Sequence, residues 1–200
     1  MSTGTILAPG VAAVPGFNGS TAEPFYGGDV LYEVVDNEFR ELPLMSARET
    51  RLASILLQIL GPFTRSNSLG LTDMEMLFLI GGPRNLQRRP DVSYVSFQRW
   101  PKGKPVPATN AWDVVPDLAV EIVSPTDGAN EIIEKVEDYF TCGVRRVWVL
   151  YPLVSKVYDY ASSTAVRILT RAETLPGGEL LPGFELPLAE LFEEAAPTAE

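Results

Sequence analysis

The stretch Pro116-Asp117-Leu118-Ala119-Val120-Glu121-Ile122-Val123-Ser124-Pro125-Thr126 decides the fold. From Leu118 to Val123 every residue but one is apolar. That is the pattern of a strand covered on both faces, as strands of parallel sheets are. The exception is Glu121. Strand alternation puts it on the same face as Ala119 and Val123. A carboxylate there is costly unless it is paired or bound to a metal. A buried salt bridge or an edge position would also account for it. Asp117 lies four residues earlier, an even offset, and shares that face. It reads as a further ligand or, preferably, as a cap at the start of the strand or a support for the site.

Downstream, Ser124 to Gly128 reads as a turn and helix entry, at the carboxyl end of a central strand where sites in α/β folds usually lie. A helix follows from about Asn130 to Cys142, with Gly143 as its C-terminal stop. Val144 to Tyr151, with Arg146-Val147-Trp148-Val149-Leu150 at its centre, is another strand of the buried kind. A helix between two strands is a βαβ crossover, so these two strands should be parallel. Lys156–Tyr160 and Ala165–Thr170 read as further strands, and Leu186 to Glu194 as a short terminal helix.

Upstream, strand signals lie at 69–80 and 91–97, and shorter connections make these strands antiparallel. Before them comes a helix with Leu52, Ile55, Leu56, Ile59 and Leu60 on one buried face. Ser46 and Glu49 form a capping-box pattern at its start, and Gly61-Pro62 is expected to stop it. Val30–Val35 and Glu38–Leu42, joined by Asp36-Asn37, read as a hairpin. Residues 1–24, rich in Gly, Ala, Pro, Ser and Thr, read as a flexible N-terminal arm, and 25–200 as a single domain. The expectation is an α/β, mixed α+β fold: a mixed central sheet flanked by helices, with hairpins added at both ends.

Composition narrows the chemistry. There is no histidine, and Cys142 is the only cysteine. Ser-His-Asp and Cys-His catalysis, histidine-dependent nucleases, cysteine or histidine zinc sites and an intrachain disulfide are therefore excluded. General acid–base or metal work must run on Asp, Glu, Lys, Tyr or water. Carboxylates favour hard cations such as Mg²⁺ or Mn²⁺. The net charge of −10 counts against a broad nucleic-acid surface. Arg84, Arg88, Arg89, Arg99, Lys102 and Lys104 cluster in mid-chain and read either as a local basic groove or as a solvated loop. No segment reads as a membrane span or a signal peptide, so a cytoplasmic location is expected.

Three more residues are candidates. Asp91 follows Pro90 and opens a strand; alone, it reads as a strand-initiating turn. Lys135 sits on the helix after the Glu121 strand, close enough to fold back toward it. It is the only lysine between Lys104 and Lys156. Alone, it reads as a surface residue paired with Glu131. Glu49 is a minor candidate for a further acidic ligand, since the capping box already accounts for it.

Taken together, Pro116 to Thr126, Lys135, Tyr139, Gly143-Val144, Val147-Trp148-Val149 and Tyr151-Pro152 resemble the Uma-two family of restriction-endonuclease-like proteins. The resemblance spans roughly residues 28–193 and takes in Tyr32-Glu33-Val34-Val35-Asp36, Arg89-Pro90-Asp91-Val92-Ser93-Tyr94-Val95 and Arg99-Trp100-Pro101. It implies a PD-(D/E)xK nuclease fold in which Asp91 and Glu121 hold Mg²⁺ or Mn²⁺ and Lys135 orients water or stabilises charge. The superfamily's lysine stands two places beyond the acid; Val123 occupies that place here, and the resemblance moves the role to Lys135. The implied activity is metal-dependent endonuclease cleavage of DNA, with a homodimer as the fold-level analogy. The alternatives are an inactive nuclease fold serving binding or assembly, and a hydrolase or RNase using the same metal site.

Overall fold

The structure is a computed structural model and describes residues 30–193. The arm expected over residues 1–24 lies outside the described residues. The chain runs β1 (Tyr32–Val35), β2 (Glu38–Glu41), α1 (Ala47–Ser66), β3 (Gly70–Met74), β4 (Phe78–Gly81), β5 (Leu86–Arg88), β6 (Val92–Ser96) and β7 (Leu118–Ile122). It continues through α2 (Ala129–Thr141), β8 (Arg146–Tyr151), β9 (Lys156–Ser162), β10 (Ala165–Thr170), β11 (Thr174–Pro176), β12 (Glu185–Pro187) and α3 (Leu188–Glu193).

The central sheet has six strands in the order β10-β9-β8-β7-β6-β3. β7 and β8 are parallel, as the intervening helix requires, and the other neighbours are antiparallel. The mixed sheet flanked by helices, with β1/β2 and β9/β10 as hairpins, is the architecture read from the sequence.

Side-chain alternation divides the core into two layers. Val92, Tyr94, Leu118, Val120, Ile122, Trp148 and Leu150 face one way, onto α1 and α3 through Leu52, Leu56, Leu188 and Leu191. Val95, Ala119, Val147 and Val149 face the other way, onto Ile132, Val136 and Tyr139 of α2. Val35, Phe78, Ile80 and Leu86 from a second sheet, of order β2-β1-β5-β4, join this layer. At 25 cal/mol per Å² or so, burying each large side chain contributes about 1.5–3 kcal/mol.

Two expectations give way. The strand signal at 69–80 is two strands in different sheets: β3 pairs with β6, whereas β4 pairs with β5. The break falls at Glu75, whose φ of 51° turns the chain out of the extended region. Gly61-Pro62 does not stop α1, which carries Pro62 inside it and ends at Ser66. A mid-helix proline costs about 3 kcal/mol. Packing on both sides of it holds the last turn: Leu60, Gly61 and Thr64 are buried, and Phe63 meets Phe184 edge-on with ring centres 5.1 Å apart. β5, β11 and β12 are too short for periodicity to reveal, and the terminal helix begins at Leu188 because Glu185–Pro187 pairs with β11.

Candidate active site

Antiparallel pairing brings the first two acids together. Val92 stands opposite Val120 and Ser93 opposite Ala119, so one further step places Asp91 across from Glu121. Both point to the α2 side of the sheet. Directly opposed side chains have Cβ atoms about 5 Å apart, where like charges repel. Burial, and then the Glu121 charge, push the Asp91 carboxyl up to about 8, against the Ile122 amide, which donates to its Oδ2 at 2.5 Å.

α2 supplies the next layer. It runs back across the sheet after β7, and Lys135 and Tyr139, one helical turn apart, meet the two oxygens of Glu121. Lys135 Nζ donates to Oε2 at 2.9 Å and the Tyr139 hydroxyl donates to Oε1 at 2.6 Å. Glu121 is only 4% exposed, so this pairing is what makes its burial tolerable. Burial opposes the ammonium of Lys135, but the Glu121 and Glu33 carboxylates outweigh it and hold the group above the ordinary amine range. The surface pairing of Lys135 with Glu131 is not formed; Glu131 accepts from the Gly128 amide instead.

Glu33 comes from the second sheet. In β1 it alternates in phase with buried Val35 and is itself 2% exposed. Its Oε1 lies 3.7 Å from Lys135 Nζ and accepts the Arg89 amide at 2.9 Å, while Oε2 accepts Arg88 Nη1 at 2.7 Å. Arg88 also reaches Asp138, one turn along α2 from Lys135, and Asp138 pairs with Arg84 at 3.1 Å. Arg84 in turn holds Asp36 and Glu134. Sequence reasoning did not single out Glu33, Arg88 or Asp138 as a network. The available signal was an ionisable residue in phase with a buried one in β1 and β5.

The other predicted acids are not brought to this pair. Asp117 occupies the opposite end of β7, about 13 Å away at 3.3 Å per residue. Its carboxylate is 1% exposed and spent on the Ser96 amide at 2.8 Å, on Arg99 at 3.0 Å and on Arg145 at 3.5 Å. It fastens β6, β7 and the start of β8 together. Glu49 sits on α1, which packs against the other face of the sheet. Its Oε2 accepts the Ser46 amide at 2.7 Å in a completed capping box. The mid-chain cations do not form one groove. Arg84 and Arg88 are tied to Asp36, Glu134, Asp138 and Glu33, the Arg89 guanidinium donates to the Tyr32 and Glu75 carbonyls, Arg99 serves Asp117, and Lys104 lies over the Trp100 ring at 3.5 Å.

Among the described residues no three His, Cys, Asp or Glu side chains converge into a ready cation cage. Two carboxylates do face each other. That donor set fits a magnesium-like ion, which is held by one or two carboxylates and fills its remaining positions with water and substrate oxygens.

The sheet, its flanking helices and their connectivity make a restriction-endonuclease-like nuclease fold. The sequence matches the Uma2 (Uma-two) family, described as "Putative restriction endonuclease", over residues 23–189, and the chain belongs to that family. Its structure is similar to the crystal structure of a protein described as "a putative nuclease belonging to DUF820" from Anabaena variabilis ATCC 29413. The TM-score is 0.72 at 16% identity, over 82% of this chain and 91% of that one. At that identity the likeness speaks for the fold alone. Curated proteins offer no match to the sequence. Among the described residues no helix is long and apolar enough to cross a membrane.

Proposed function

We propose that this protein is a divalent-metal-dependent endonuclease acting on DNA, with Asp91 and Glu121 as the cation ligands and Lys135 as the site's fixed positive charge. One observation carries the reading: two carboxylates opposed where β6 and β7 pair, with a partly buried ammonium on one of them. Mg²⁺ or Mn²⁺, when bound, supplies Lewis acidity for the scissile phosphate and the attacking water. Asp91 and Glu121 would hold the ion. Lys135 presents an ammonium beside the reacting phosphate, where a charge fixed in advance by protein contacts costs little reorganisation. Tyr139 keeps the Glu121 carboxylate in one orientation. Two such sites in a homodimer would address the two strands of a duplex. The test is incubation of the full chain with DNA and Mg²⁺ or Mn²⁺. The expected result is cleavage that disappears in Glu121→Ala; cleavage unchanged in that variant removes the assignment.

A second reading is favoured by the engagement of both Glu121 oxygens by the chain's own Lys135 and Tyr139. In it the fold is an inactive binding or assembly module whose acid site is closed by internal ion pairs. It predicts no calorimetric binding of Mn²⁺. Cleavage of RNA but not DNA in the same assay would keep the metal site and change the substrate.

A further inference from the structure

We propose that Glu33 is a positioning residue that receives Lys135 from Glu121 when a cation enters the site, an inference that rests on the metal-dependent reading above. Lys135 Nζ sits on Glu121 Oε2 at 2.9 Å, where it competes with any cation for that oxygen. Its second acidic neighbour is Glu33 Oε1, at 3.7 Å, just beyond hydrogen-bond reach. A displacement of about 1 Å would turn that contact into a charge-assisted hydrogen bond.

The two partners differ in freedom. Glu33 is clamped by Arg88 Nη1 and the Arg89 amide, and Arg88 is itself tied to Asp138, so the carboxylate cannot travel. Lys135 is partly exposed at 20% and hangs on a flexible four-carbon stem, so the ammonium is the part that moves. Without a receiver, an ammonium displaced from Glu121 would be left in a largely desolvated site, at a cost charged against cation binding. Glu33 removes that cost. It also keeps the ammonium beside Glu121, so the positive charge stays in the site while the carboxylate is freed. The role belongs to the N-terminal hairpin.

The experiment is a double-mutant cycle read by calorimetric Mn²⁺ titration of the full chain without nucleic acid. Glu33→Gln should weaken Mn²⁺ binding by about tenfold. Lys135→Met, which removes the competitor, should bind Mn²⁺ at least as tightly as the unmodified protein. The combined variant should match Lys135→Met, because Glu33 acts through Lys135. If Glu33→Gln weakens binding by the same factor with or without Lys135, Glu33 contributes only its charge and the handover is overturned, with the metal site intact. Absence of binding in the unmodified protein and in every variant overturns both readings. Binding that appears only after Lys135→Met shows a blocked site and overturns the handover. Should Glu33→Gln fail to fold, Glu33→Asp keeps the charge for Arg88 but withdraws the carboxylate from Nζ, and the same cycle applies.

Discussion

Replacing Asp91 by asparagine separates the cost of the acid pair from its use. In the metal-free protein the Asp91 carboxyl is pushed up to about 8, so at pH 7 the protonated form predominates roughly ten to one. Asparagine is close to that neutral form in shape and can still accept the Ile122 amide. The metal-free variant should therefore match the parent near pH 4 and be the more stable of the two at pH 7, by up to about 4 kcal/mol, because only the parent must take up a proton on folding. The pH dependence has a definite sign. An acid whose folded pKa is raised stabilises the fold below its unfolded value, about 4, and that stability is lost as pH rises through about 8. Over that window the parent should lose up to about 1.4 kcal/mol per pH unit, while Asp91→Asn should be flatter. A cation reverses the penalty. At a free Mn²⁺ concentration one hundred times Kd, binding stabilises the parent by about 2.7 kcal/mol. At about 2–4 °C per kcal/mol for a chain of this size, Tm rises by roughly 5–11 °C. Calorimetric melts at pH 7 with chelator and with Mn²⁺ measure both effects. An Asp91→Asn protein whose Tm rises with Mn²⁺ as much as the parent's would refute the pairing of Asp91 and Glu121 on one ion.

Three further substitutions distinguish structural acids from site acids. Asp117→Asn should cost about 1.5–3 kcal/mol in urea unfolding by weakening the charge-assisted contacts to Arg99, Arg145 and the Ser96 amide, yet leave Mn²⁺ affinity within twofold. Glu49→Ala should cost about 1 kcal/mol through the broken capping box, with no change in Mn²⁺ titration. Arg88→Met should be the most damaging of the three, since Glu33 and Asp138 would both stay buried without it. A Tm loss smaller than that of Glu49→Ala would contradict the buried ion chain.

What was legible in the sequence was local. The β7-α2-β8 unit declares itself because two apolar strand runs, a 3.6-residue period and a glycine stop all lie within one continuous stretch. Glu121 stands out there by violating its own pattern, whereas Lys135 alone reads as a surface lysine and took its place in the site from the resemblance. Asp91 needed the resemblance as well, because Pro-Asp alone is an ordinary strand opening. The split of 69–80 and the survival of α1 past Pro62 were not legible. Each depends on what packs against the segment: a left-handed Glu75 in one case, Phe184 under Phe63 in the other.

Sequence by itself determined which side chains are available for chemistry and which strand faces carry them: an acid in a buried strand, an acid after a proline, a lysine on the next helix, and no histidine. Tertiary structure alone decided that Asp91 faces Glu121, that Asp117 is spent four residues away, and that Glu33 and Arg88 close around Lys135. The physical reason is sequence separation. Periodicity assigns a residue to a face within one element, but partners 14 to 55 residues apart meet only through strand register and layer packing. Those are set by the whole core rather than by any short pattern.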